Sequence, residues 1–251
     1  FLYTALLIGT SAFFYGPGLN SSLAIVTPAE YLRSNMEALA LQIRETENAR
    51  QRYFLATHLA AYGTPSLDFL LPMLKDDDPE IRIAAAHQMR NVPSSEAVPA
   101  LIEALGDSLE DVRGSALLAL ALITAPESVE PMRRLLLDPI PWVQVRALQS
   151  LAAMGEDVSE FASVGLESPH LWYRIRCLNV LGMLRNERTV AQVEHQLASE
   201  NAHIRRAVVA ALASIGSAES RQALERAQSD DDWEVRMYAT EALEILNSKE
   251  K

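Results

Sequence analysis

The sequence predicts an all-α fold in which about six to seven helical hairpins stack into an α-solenoid, preceded by a hydrophobic amino-terminal helix. The first observation behind this prediction is a marker residue, almost always arginine, that returns at a nearly constant interval along the chain. These marker residues are Arg52, Arg82, Arg113, Gln144, Arg174, Arg205 and Arg236. A constant step over most of a chain is typical of a repeat protein.

The second observation is the set of apolar residues at fixed distances from each marker. Positions −1, +3, +7 and +10 are apolar in nearly every unit, and around Arg113 they are Val112, Ala116, Leu120 and Ile123. These offsets follow one face of an α-helix. Each unit therefore opens with a helix of three to four turns that buries one side.

The amino-terminal segment, residues 1–28, carries no charge and is predicted to be a membrane anchor with its linker, followed by the solenoid over residues 29–251. Residues 1–15, FLYTALLIGTSAFFY, form an apolar run. A transmembrane helix needs about 20 residues. Because the chain begins with Phe, we expect the anchor to continue upstream. The tail of a signal peptide and a hydrophobic helix packed on a partner subunit are the alternatives.

The charges that follow this segment are mixed, as in Glu30, Arg33 and Glu37. No excess of basic residues holds this side of the membrane in the cytoplasm. We therefore expect a single-pass anchor with the repeats on the extracytoplasmic side.

A second apolar helix follows the first one in each unit, for example within residues 96–107, 127–138 and 187–199. Short breakers such as residues 63–65, Gly-Thr-Pro, separate the two helices. Gly and Pro favour the sharp turns where a chain reverses. The unit is therefore predicted to be a helical hairpin.

The turn that leads into each new unit contains a short polar residue six positions before the marker. Asp, Ser and Thr side chains accept backbone N–H bonds in turns and at helix starts. We expect a ladder of polar contacts between neighbouring hairpins, made by these residues and the markers. The predicted ladder residues are Asp76, Arg82, Asp107, Arg113, Asp138, Arg174, Arg205, Asp230 and Arg236.

With these residues in place, the chain resembles the HEAT-repeat family, in the short bacterial form also found in phycobilin lyases. That family carries an Asp and an Arg six residues apart, matched here by Asp76 with Arg82 and by two further pairs. Units with Thr46, Ser168 or Ser199 keep the Arg only, and the unit of Gln144 keeps the Asp only. The resemblance implies the fold and leaves the activity open.

The most distinctive departure from the repeat lies two positions before the marker. Most units place a charged or polar residue there, whereas two consecutive units place Trp142 and Trp172, each with an Arg four residues later. Residues at i and i+4 share a side of a helix, and Trp and Arg dominate protein–protein hot spots. The predicted protein-binding patch consists of Ile140, Trp142, Arg146, Leu171, Trp172, Tyr173 and Arg176. In the alternative, each Trp fills a groove between repeats.

Charge and motifs restrict the function further. The net charge of −11, from 22 basic and 33 acidic residues, disfavours binding to a phosphate backbone. No phosphate-binding loop, nucleophile motif or metal-ligand spacing occurs. The pair formed by Glu194 and His195 is the nearest to an acid and a base, and Cys177 lies at the apolar position +3.

These observations predict a non-enzymatic, membrane-anchored scaffold or accessory subunit without a cofactor or a metal. Its solenoid would bind other protein subunits of a membrane complex, and no nucleic acid. Two alternatives stay open, a phycobilin-lyase-like enzyme or chaperone subunit, and a soluble regulatory module for protein interaction.

Overall fold

The computed structural model of the protein describes residues 27–248. This part of the chain forms fourteen α-helices and short 3₁₀ turns and contains no β-strand. The helices are α1 (Pro28–Glu45), α2 (Ala49–Ala60), α3 (Leu67–Met73), α4 (Pro79–Gln88), α5 (Val98–Ala104), α6 (Glu110–Ile123), α7 (Val129–Arg134), α8 (Pro141–Ala153), α9 (Ser159–Val164), α10 (Leu171–Leu184), α11 (Val190–His195), α12 (Ala202–Ile215), α13 (Ala218–Ala227) and α14 (Trp233–Ser248). The predicted all-α class is confirmed over these residues.

The chain divides into two compact units, Phe1–Asn35 and Met36–Lys251. The described part of the first unit is the start of α1. There Glu30 Oε2 accepts the Thr27 backbone N–H at 2.7 Å, and Thr27 Oγ1 accepts the Glu30 N–H at 3.2 Å. This reciprocal bonding caps the helix. The Thr27 bonds also lower the pKa of the Glu30 carboxyl.

The second unit is a stack of helical hairpins. Each even-numbered helix packs against the next even-numbered helix, from α2 with α4 through to α12 with α14. The shorter helices α3, α5, α7, α9, α11 and α13 each pack against a neighbouring even-numbered helix, as α5 does against α6 and α9 against α10. The even-numbered helices thus form one layer and the six shorter helices from α3 to α13 form the other, which is the solenoid that the repeat predicted.

The core of the stack follows the predicted apolar stripe. The side chains at position +3 are buried in all seven units, including Ala116 and Cys177 at 0 % exposure. Those at position +7 are fully buried in six units, and Leu243 in the last unit is half-buried. Burial of one Leu side chain stabilises a fold by about 1.5–3 kcal/mol. Position +3 holds Ala or Cys in five of the seven units, which lets neighbouring helices approach there, and the larger side chains at position +7 fill the space between them.

The predicted membrane anchor, residues 1–15, lies outside the described residues. Between residues 27 and 248, no helix combines the length and the hydropathy that a bilayer crossing requires.

Candidate protein-interaction surface

The turns between hairpins share one bonding pattern. The polar side chain six residues before each marker accepts the backbone N–H two residues further on, as Asp138 Oδ1 does from Ile140 at 2.9 Å. The same bond recurs in all seven turns, at Thr46, Asp76, Asp107, Asp138, Ser168, Ser199 and Asp230. These side chains hold the turn in the shape that starts the next helix.

The marker arginines connect one hairpin to the next. Arg113 Nε donates to Asp138 Oδ2 at 2.8 Å, across 25 residues, and its Nη1 donates to the backbone carbonyl of Asp107 at 2.9 Å. Arg113 therefore meets the carboxylate of the following unit and only the backbone of its own turn. The same side-chain pairing occurs for Arg82 with Asp107 and for Arg205 with Asp230.

The remaining predicted ladder residues bond differently. Asp76 lies 3.6 Å from the Arg44 guanidinium, and Arg52 pairs with Asp78 at 2.9 Å. Arg236, in the last helix, donates to the backbone carbonyl of Asp230 at 2.6 Å. The ladder thus varies at both ends of the stack.

In the middle of the stack the charged ladder is interrupted. Gln144 Nε2 donates to the Asp138 carbonyl at 2.6 Å, and Gln144 Oε1 accepts the Tyr173 hydroxyl at 2.8 Å. A neutral bond therefore joins α8 to α10. One unit later, Arg174 donates to the Gln196 amide, and its buried Nε has no partner among the described residues. The two interruptions lie in the units that carry the paired Trp and Arg residues.

Trp142 packs into the groove between two repeats. A Cβ atom added to Gly114 would lie 2.4 Å from Trp142 Cη2 and Cζ3, so the ring rests on the backbone of α6. The Arg146 guanidinium lies 5.9 Å from the ring centroid, within the range of a cation–π contact. Ile140, Trp142 and Tyr173 all pack against the core. Trp142 therefore fills a groove between repeats, as the alternative to the binding patch predicted.

Trp172 occupies the same repeat position but stays on the surface. Its side chain is 42 % exposed, and that of Leu171 is 39 % exposed. The Trp172 ring stacks on His170 with centroids 6.4 Å apart and meets Tyr173 edge-on at 5.6 Å. Val145 stands where Gly114 stands one unit earlier and is itself buried at 5 % exposure, so no equivalent groove is open.

The structure therefore divides the predicted patch into a packed part and an open part. The open part, called the docking patch below, consists of Arg146, Leu171, Trp172 and Arg176. Arg176 is exposed and Arg146 is half-buried. Both arginines occupy the same position in helices that pack side by side, α8 and α10.

Arg90 is a neighbour that the sequence analysis missed. It is exposed in the turn two residues after α4 ends, and its charge acts on Arg146. Burial first, and then the charges of Arg90 and Arg176, lower the pKa of the Arg146 guanidinium. The position of Arg90, eight residues after its marker, holds Ala or Gly in five other units, and this contrast is the signal that could have identified it.

The only cysteine is buried, as its position in the repeat predicted. A Cβ atom added to Gly165 would lie only 2.4 Å from Cys177 Sγ, so the absence of a side chain at Gly165 makes room for the thiol. Burial raises the pKa of the Cys177 thiol to about 12, and it raises the pKa of Tyr173 to about 12 as well. Neither group ionises near neutral pH.

The remaining candidates for chemistry, Glu194 and His195, are not part of the docking patch. Glu194 accepts a bond from Arg226 Nε at 2.8 Å, and both residues line an open groove of about 530 Å³ with His195. Between residues 27 and 248, no three His, Cys, Asp or Glu side chains lie close enough to hold a metal ion.

This geometry agrees with the comparison of the chain with known families. The family model for HEAT repeats matches residues 36–121, 98–164 and 159–244. The chain belongs to the HEAT-repeat family. No curated protein sequence matches it.

Three solved structures show the same fold at low sequence identity. YibA from E. coli aligns with a TM-score of 0.62 and 18 % identity, over 84 % of this chain and 82 % of YibA. The CpcE–CpcF complex of phycocyanin lyase from Nostoc sp. PCC7120 aligns with a TM-score of 0.53 and 17 % identity, over 95 % of this chain and 99 % of the matched chain. The karyopherin Kap121p, bound to the extreme C-terminus of the phosphatase Cdc14p, aligns with a TM-score of 0.59 and 15 % identity, over 85 % of this chain and 29 % of the karyopherin. At these identities the likeness extends to the fold alone.

Proposed function

We propose that this HEAT-repeat chain is a non-enzymatic accessory subunit that binds partner proteins through the docking patch. The observation that carries the proposal is the exposure of Trp172 beside Leu171, next to the interrupted part of the ladder. A large aromatic ring left 42 % exposed costs free energy in water. Its burial by a partner would recover that cost. HEAT repeats are suited to protein interaction, and the Kap121p structure has a bound protein terminus.

The docking patch has the composition of an interaction hot spot. Trp and Arg are the residue types whose truncation most often costs about 2 kcal/mol or more in an interface. His170 and Tyr173 hold the Trp172 ring from two sides. A ring that is already oriented loses little side-chain entropy on binding.

The test compares two exposed tryptophans in the full chain. Trp172→Ala should lose at least about 2 kcal/mol of partner binding, roughly 30-fold in affinity. Trp233→Ala is the matched control, because Trp233 is 61 % exposed and also lies in the first turn of its helix. The chain and both variants are purified in mild detergent, and the copurifying proteins are quantified. Selective loss in Trp172→Ala supports the proposal, and equal retention in both variants refutes it.

We propose further that residues 1–15 anchor the chain in a membrane, with the repeats on the extracytoplasmic side. The support is the uncharged apolar run and the mixed charges that follow it. Carbonate extraction should leave the full chain in the membrane fraction and release a version that starts at residue 27. Protease added to intact spheroplasts should then digest the repeats. Release of the full chain by carbonate would refute the anchor, and protection from the protease would refute the orientation.

A further inference from the structure

The docking patch lies on a strongly acidic protein, yet its charges are positive. Arg146 and Arg176 occupy equivalent positions on the packed helices α8 and α10. After burial, the charges of Arg90 and Arg176 lower the pKa of the Arg146 guanidinium. Among the described residues, none of the three donates a hydrogen bond or forms an ion pair. Asp111 and Arg90 both act on His87, whereas no carboxylate among the described residues pairs with Arg146 or Arg176. This positive charge stands out in a chain of net charge −11.

The repeat position two residues before the marker is acidic in three units, at Glu80, Asp111 and Glu234. Further along the same layer, Arg206, directly after its marker, is bound by Glu234, which lies two residues before the next marker. In the units of Arg146 and Arg176, that carboxylate position holds Trp172 and His203. Trp172 and His203 therefore supply no carboxylate at this position, although Arg146 and Arg176, two residues after their markers, are not the equivalents of Arg206, one residue after its own.

We infer that the docking patch binds an acidic, extended segment of a partner protein. The inference deepens the proposed function and rests on it. Carboxylates of the segment pair with Arg146 and Arg176, and an apolar side chain between them covers Leu171 and Trp172. A nucleic acid fits less well, because the net charge of the chain repels a long polyanion while a short segment meets only the local positive charge.

The spacing of the arginines restricts the segment further. Arg146 and Arg176 are equivalent residues on adjacent helices, and packed helices lie about 8–10 Å apart. A polyproline II segment repeats every three residues with a rise of about 3.1 Å per residue, so every third side chain returns to one face after about 9 Å. Acidic residues at positions i and i+3 therefore match the two guanidinium groups.

The probe is a fluorescein-labelled peptide of twelve residues with Glu at every third position and Leu and Pro between them. A second peptide replaces each Glu with Gln. Binding to the full chain in detergent is measured by fluorescence anisotropy at low salt. We expect the Glu peptide to bind at least tenfold more tightly than the Gln peptide, and its affinity to fall as salt increases.

The variants are designed as a charge-matched set. Arg146→Glu with Arg176→Glu should weaken binding of the Glu peptide at least tenfold. The control, Arg134→Glu with Arg188→Glu, makes the same charge change at exposed residues of other elements and should change binding less than twofold. Melting by circular dichroism checks the fold of each variant. If the double Glu variant is unfolded, Arg146→Gln with Arg176→Gln replaces it, and a threefold or greater loss is expected.

Three results would overturn the inference. The Glu and Gln peptides could bind alike, the control variant could lose as much affinity as the test variant, or a single-stranded DNA of equal charge could bind as tightly through the same arginines. The copurification test separates this failure from that of the proposed function. Trp172→Ala could lose its partner while the arginine variants bind the Glu peptide as tightly as the unchanged chain does. That outcome would support the accessory-subunit role and refute the acidic segment as its ligand.

Discussion

The buried pair of Arg113 and Asp138 is the sharpest test of how the solenoid is held together. Two parallel bonds of 2.8 and 2.9 Å join them, and the two residues are only 8 % and 7 % exposed. Arg113 Nη1 also bonds the carbonyls of Asp107 and Ser108 at 2.9 and 3.1 Å. The guanidinium thus ties its own turn to the turn of the next hairpin.

Arg113→Met should destabilise the protein strongly. The methionine keeps most of the aliphatic stem but leaves the Asp138 carboxylate buried without a counter-charge. Loss of one partner of a buried pair costs about 3–5 kcal/mol. For a domain of this size, about 2–4 °C of melting temperature correspond to each kcal/mol, so the expected decrease is roughly 6–20 °C. Adding Asp138→Asn should recover more than about 1 kcal/mol, because the amide is neutral and keeps the oxygen that accepts the Ile140 N–H.

The free energy of unfolding is measured by urea titration of the full chain in mild detergent, with circular dichroism as the signal. The control is Lys75→Met, which breaks the pair of Lys75 and Glu103, whose side chains are 57 % and 62 % exposed. Such a surface pair contributes about 0–1 kcal/mol. If Arg113→Met costs no more than Lys75→Met, the reasoning from burial and multiple bonds is refuted.

Three further predictions concern packing, pH and reactivity. Gly114→Ala should lower the melting temperature, because a Cβ 2.4 Å from the Trp142 ring costs about 1–3 kcal/mol and outweighs a helix-propensity gain of about 1 kcal/mol. A higher melting temperature would contradict this, and Gly114→Ala should be harmless in a chain that already carries Trp142→Ala. Bonds from Arg205 hold the pKa of Asp230 below its usual 3.8, so the pair stabilises the fold above about pH 4 and loses that effect as the pH falls through the lowered pKa. Arg205→Gln should therefore flatten the dependence of the urea midpoint on pH between 6 and 3, and an unchanged slope would argue against the pair. Cys177, buried and neutral, should react with a disulfide reagent at pH 8 only after unfolding, and fast labelling of the folded chain would disprove its burial.

The repeat made most of the fold predictable. A marker at a nearly constant interval, with apolar residues at fixed offsets, specifies the hairpin and the face that each first helix buries. The burial of Cys177 and Leu120 could be read from their offsets alone, since residues at equal offsets meet equal surroundings in a stack. The sequence also showed where the repeat departs from its own rule, at Gln144 and at the two tryptophans.

Only the tertiary structure separated the two tryptophans from each other. Trp142 and Trp172 share their offset and the Arg four residues later, yet one fills a groove and the other lies on the surface. The difference lies in the preceding unit, where Gly114 leaves space for a ring and Val145 does not. The effect of the Arg90 charge on Arg146, which lies two units further along the chain, likewise depends on the stack. Offsets within a repeat describe what one unit has in common with the others, whereas a surface is made by side chains from different units, and their distances are set only when the units pack.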